Sequence, residues 1–195
     1  MHARVLLAIG ITTLLAGCSP EVAGTPSPAV SASTSSVPDG VPRVERPLDT
    51  SKFEKDPCSA LTVGQLSQLG ITTEPKPMPE DKLGPSCDWN AYDEIGLTVG
   101  ARLLTIGSSL ANLYKQHEQG ELPLFQPVVI SGYPGILVDL DNAKPQGKCS
   151  AEVGVRDDLL YSVQVTISSD AKDYADPCPV AKKAAELAVS TMKGS

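Results

Sequence analysis

The most regular alternation of apolar and polar positions lies in "CSAEVGVRDDLLYSVQVTIS", residues 149–168. Leu159, Tyr161, Val163, Val165 and Ile167 fall on one side of an extended chain, and Ser162, Gln164 and Thr166 on the other. Asp157-Asp158 separate this run from the one before it, which predicts a hairpin. A second hairpin is predicted in "CDWNAYDEIGLTVGARLL". There Cys87, Trp89 and Ala91 share one face, and Leu97, Val99, Ala101 and Leu103 alternate again after "DEIG". "QPVVISGYPGILVDLD" reads as two short strands around a "GYPG" turn.

Elsewhere the period lengthens to that of a helix. In "DPCSALTVGQLSQLG", Thr62 and Gln65 fit a capping box, Leu61 and Leu66 fit a hydrophobic staple, and Gly70 ends the helix. In "SSLANLYKQHEQG", Ser108 or Ser109 is the cap, and Leu110, Leu113, Tyr114 and His117 share a face. In "DPCPVAKKAAELAVSTMKGS", Asp176 is the expected cap and Pro177 the first helical residue, with Val180, Ala184, Leu187 and Ala188 as the apolar stripe. The order is helix, two strands, helix, four strands, helix. It predicts an α+β domain over 52–195: a single antiparallel β-sheet with helices packed on one face.

Two stretches before the domain follow neither period. Residues 1–17 hold Arg4 and then an almost unbroken apolar run, Val5 to Leu15, with no acid before Glu21. This is the layout of a secretory signal peptide, and the run is short of the ~20 residues that a spanning helix needs. Leu15-Ala16-Gly17-Cys18 resembles the bacterial lipobox. That resemblance implies cleavage after Gly17 and acylation of the Cys18 thiol, with acyl chains worth about 0.8 kcal/mol per buried methylene as the anchor. Residues 19–50 are rich in Pro, Ser and Thr. The segment 18–51 is therefore predicted to be the lipidated cysteine and a disordered tether, reaching roughly 30 Å by flexible-coil scaling.

Composition sharpens this picture at two points. The chain has 195 residues and a net charge of −7, and loss of residues 1–17 removes one further positive charge. This balance argues against nucleic-acid binding and against a polybasic grip on anionic lipid. The second point is the count of 5 cysteines. Setting Cys18 aside leaves Cys58, Cys87, Cys149 and Cys178, an even number that reads as two disulfides in an exported domain. Equal separations, 58 to 87 and 149 to 178, favour local pairing; Cys58–Cys178 with Cys87–Cys149 is the alternative. A metal site is not expected, since no two of these cysteines show CxxC spacing and the mature chain keeps one histidine, His117.

"DPC" occurs twice, at Asp56-Pro57-Cys58 and Asp176-Pro177-Cys178. With the lipobox, the tether, "DPCSAL" leading a helix, "CDW" opening a strand and the "GYPG" turn, the chain resembles the actinobacterial envelope lipoproteins of unknown function. The resemblance covers about residues 52–193 plus the lipobox. It implies an extracytoplasmic, lipid-anchored α+β domain at the cell membrane, and it implies no catalytic residue and no cofactor.

Candidate chemistry is sparse. His117, on a helical apolar stripe, is expected to be a partly buried structural residue. The acid pairs Asp93-Glu94, Asp139/Asp141 and Asp157-Asp158 read as solvated turns. "DLDN" at 139–142 lacks the glycine and distal glutamate of a calcium loop, and nothing selects one pair for hydrolysis. Trp89 is expected in the core, and Tyr133 is a candidate for an exposed ligand contact. The reading that results is a non-enzymatic binding or accessory module, bilayer-anchored through Cys18, with an envelope protein, a wall component or a small ligand as partner. The alternatives are a lipid or hydrophobic-ligand carrier, which needs an apolar cavity between sheet and helices, and a wall hydrolase, which needs two converging acids.

Overall fold

The structure, a computed structural model, describes residues 37–79, 82–139 and 141–195. The predicted signal peptide, Cys18 and most of the predicted tether lie outside these residues. Seven strands form one antiparallel sheet: β1 (Lys76–Pro77), β2 (Ser86–Ala91), β3 (Leu97–Leu104), β4 (Leu124–Ile130), β5 (Tyr133–Asp139), β6 (Lys148–Arg156) and β7 (Leu159–Ile167). Their order across the sheet is β1-β2-β3-β7-β6-β5-β4. The helices are α1 (Ser51–Lys55), α2 (Val63–Gln68), α3 (Tyr92–Ile95), α4 (Leu110–Glu118) and α5 (Cys178–Lys193). None of them is long and apolar enough to cross a membrane.

The alternation in sequence becomes a two-faced sheet because the register is continuous. Cys87 pairs with Ala101, Ala101 with Val163, Val163 with Ala151, and Ala151 with Leu137. All five are buried, and α5 lies on this face with Ala181, Ala184, Ala185 and Ala188 fully buried. Side chains this small let the helix backbone approach the sheet closely. Trp89 is fully buried here, as expected. Its indole Nε1 and the Tyr161 hydroxyl are enclosed without a hydrogen-bond partner among the described residues.

The disulfides are Cys58–Cys87 and Cys149–Cys178, the local pairing, each with a Cα–Cα distance of 5.1 Å. The first clips a 3₁₀ turn, Pro57–Ala60, to β2, and the second clips the start of α5 to β6. Each bridge should stabilise the fold by about 3–4 kcal/mol, for loops closed by a sequence separation of 29.

The Thr62–Gln65 capping box forms as predicted, with the Gln65 backbone N–H donating to Thr62 Oγ1 and the Thr62 N–H donating to Gln65 Oε1. Ser109 caps α4. Asp176, in contrast, caps nothing. No side chain caps α5, and the Asp176 carboxylate instead pairs with Lys144 at 3.2 Å.

Three further expectations are corrected. The helices do not all lie on one face. Leu110 and Leu113 of α4 pack with Ile136, Val138 and Leu160, side chains that point away from the α5 face because Leu137 and Tyr161 point toward it. The domain also begins before residue 52: Val44 and Thr50 are buried, and the Leu48 N–H donates to the Val155 carbonyl at 3.0 Å. The "GYPG" turn is displaced by two residues. Ile130 pairs with Tyr133, so Ser131-Gly132 form the two-residue loop, both with positive φ (52° and 89°). Ser131 is held in that conformation by its hydroxyl, which donates to the Glu186 carbonyl on α5 at 3.0 Å. Tyr133 belongs to β5 and is 6% exposed, which removes it as a surface contact.

Candidate functional site

The face of the sheet opposite α5 divides into two parts. Near β5 it is covered by α4. Over β2, β3, β7 and β6 it carries two polar rows fixed by register. One row is Ser86, Arg102, Ser162 and Glu152; the other is Asp88, Gly100, Gln164 and Ser150. Together with Met78, Leu83 and Leu104 these residues line a pocket of about 360 Å³.

Glu152 is the unusual member. It is 3% exposed, and Ser162 donates a hydrogen bond to its Oε1 at 2.8 Å. Its Oε2 has no partner among the described residues. Burial pushes the carboxyl up to about 7, against the opposing pull of the Ser162 hydroxyl. Ser86 is 4% exposed, and its Oγ is likewise unpartnered among the described residues. Asp88 is half-buried. Desolvation raises its carboxyl above the usual range, while Arg102 and Lys76 act in the other direction. Gly100 makes room for Asp88: a Cβ there would sit 3.0 Å from Asp88 Oδ1.

The residues singled out from sequence lie elsewhere. Asp93 and Glu94 are exposed on α3. Asp157 accepts from the Val44 backbone N–H at 2.8 Å, and Asp158 pairs with Arg156. Asp139 is not a solvated turn residue; it is 5% exposed. Its carboxylate accepts the backbone N–H groups of Asp141, Ala143 and Lys144 and so organises the loop after β5. His117 is exposed rather than partly buried, and its ring stacks on Phe125 with centroids 4.1 Å apart. Among the described residues no cluster of three or more His, Cys, Asp and Glu side chains is arranged to hold a metal.

Sequence reasoning missed the polar pocket. The alternation puts Ser162 and Gln164 on the outward face, where polar residues ordinarily meet water. The available signal was an acid, Glu152, alternating with Ala151 and Val153 inside an apolar strand. Asp88 and Glu152 share the pocket but stand three strands apart, with backbones about 14 Å from each other by strand spacing. A second groove, of about 460 Å³, lies at the end of the sheet between Leu69, Ile95, Leu97, Ile167 and Val180. Its lining joins Leu97 and Ile167 of the sheet to Pro179, Val180 and Lys183 at the start of α5.

A family model described as "Protein of unknown function (DUF3558)" matches residues 13–191. The chain belongs to this family. The DUF3558 match takes in all five cysteines and every strand and nearly the whole of α5. No curated protein and no solved structure matches the chain.

Proposed function

We propose that this DUF3558 protein is a lipid-anchored binding or accessory module on the extracytoplasmic face of an actinobacterial cell membrane, and not an enzyme. The observation that carries the reading is the partition of its cysteines. Four of them pair within the fold, which leaves Cys18 as the odd thiol, directly behind an apolar leader and a small-residue pair. Two disulfides suit an oxidising compartment. The non-enzymatic part rests on the dispersal of the acid pairs and on the engagement of His117 with Phe125. The pocket over β2, β3, β7 and β6 supports the binding part, since it buries polar atoms whose hydrogen bonds a ligand would complete.

Membrane fractionation of the full chain and of Cys18→Ala tests the anchor. The parent chain partitions with the membrane, and the variant is released or left unprocessed. Unchanged membrane retention of the variant would overturn the reading. A hydrophobic-ligand carrier is the second reading, favoured by the apolar groove beside Leu69 and Val180. It predicts a lipid adduct in the native mass spectrum that denaturation removes.

A further inference from the structure

The pocket on the face opposite α5 is rich in acceptors. Glu152 Oε2 and Ser86 Oγ are buried and unpartnered among the described residues. Ser150 Oγ accepts from Gln164 Nε2 at 3.4 Å, and the Asp88 carboxyl lies over Gly100. Met78, Leu83 and Leu104 supply an apolar wall. The volume, about 360 Å³, is within the range of small-molecule sites. A buried carboxyl oxygen without a donor is costly, and a ligand that brings the donor removes that cost. The geometry points to a site for a small amphipathic amine, with its ammonium group donating to Glu152 Oε2 and its carbon skeleton against Met78, Leu83 and Leu104. This rests on the binding-module reading and names the ligand class for it.

The surroundings of Glu152 favour a cation over a neutral hydroxyl. Among the described residues no basic side chain pairs with it. Arg102 stands two strands away, about 10 Å by strand spacing, and acts on Asp88. β7 presents Ser162 and Gln164, and β5 presents Ile136, none of them ionisable. α4 carries Tyr114, Lys115, His117 and Glu118, of which Tyr114 and His117 are held against Phe125. An ammonium ligand favours the carboxylate form, so its binding tightens as pH rises. A carboxyl titrating at about 7 is ionised in roughly a tenth of molecules at pH 6 and nine tenths at pH 8, a difference of about ninefold in affinity.

The test is an NMR titration of the full chain with n-butylammonium and, separately, n-butanol. Butylammonium should shift the backbone signals of Ser86, Ser150 to Val153 and Ser162, with a Kd about ninefold lower at pH 8 than at pH 6. Butanol should bind more weakly and without pH dependence. Glu152→Gln should abolish the pH dependence while leaving signals outside the pocket in place. Equal or tighter binding of butanol at both pH values would overturn the amine class, and an absence of shifts at these residues would overturn the site. A ligand of another class in the native mass spectrum would then leave the binding-module reading standing. A mass spectrum without any adduct, together with loss of the Cys18 dependence, would remove both.

Discussion

The two faces of the sheet are built from the same strands and are chemically opposite. On the α5 face Trp89, Val99, Val165, Ala184 and Ala188 are each fully buried, and the disulfides fasten the terminal segments to it. On the other face, α4 covers one end, over Ile136 and Val138 of β5 and Leu160 of β7, and the remainder holds a buried carboxyl, hydroxyls and a half-buried Asp88–Arg102 neighbourhood. Both faces enclose polar atoms without a partner among the described residues, but in different settings. Trp89 Nε1 and Tyr161 Oη sit in filled core, whereas Glu152 Oε2 and Ser86 Oγ border a pocket. An orphan group in packed core is a cost borne by the fold; an orphan group at a pocket can be relieved by a group that enters the pocket. The α5 face carries the tightly buried core, and the opposite face carries buried polar atoms at the border of a pocket.

The comparison breaks first, if it is wrong, at Trp89. Trp89→Ala leaves a large cavity in the α5 face and should cost about 3–5 kcal/mol in urea denaturation. A loss below about 1 kcal/mol would mean that this core is not tightly filled. Removing one clip, with Cys149→Ser and Cys178→Ser together, should cost about 3–4 kcal/mol by loop entropy and release the start of α5 to fast hydrogen exchange.

Glu152 tests the opposite face through pH. In the unfolded chain its carboxyl titrates at its ordinary 4.5, and in the fold at about 7. Between these values the unfolded state binds fewer protons, so stability falls as pH rises, by about 1.4 kcal/mol per unit. Glu152→Gln should therefore match the parent near pH 4 and be more stable by up to ~3 kcal/mol at pH 8. Parallel stability–pH curves for the two chains would show that the carboxyl is not desolvated. Tyr161→Phe removes a core hydroxyl that lacks a partner among the described residues and should raise stability by about 1 kcal/mol. A clear loss would reveal a bond to that hydroxyl. Gln164→Ala, on the open face, should move stability by less than about 0.5 kcal/mol in the same denaturation assay. A larger loss would mean that the open face contributes to the core after all.

Much of the fold was legible because it rests on short-range rules. Alternation identified the buried sides of β2, β3 and β7, and a Thr–Gln spacing of three placed the start of α2. The misses have specific physical causes. β1, α1 and α3 are too short to show a period of their own. α4 presents an apolar stripe whichever face receives it, and only the outward-facing Ile136, Val138 and Leu160 draw it across the sheet. Asp139 read as a turn residue because its three backbone donors come from a loop that exists only once folded.

The sequence by itself determined the inward sides of β2, β3 and β7 and the caps of α2 and α4. Each of these is a property of neighbouring residues or of a fixed period along the chain. Only the tertiary structure decided the pocket. Ser86, Asp88, Arg102, Ser150, Glu152, Ser162 and Gln164 come from four strands that span the chain from residue 86 to residue 167. They become one site through the β3–β7 pairing that joins the two halves of the sheet. Register places side chains on a shared floor and sets which of them lose water, and register is a relation between strands that no single stretch of sequence contains.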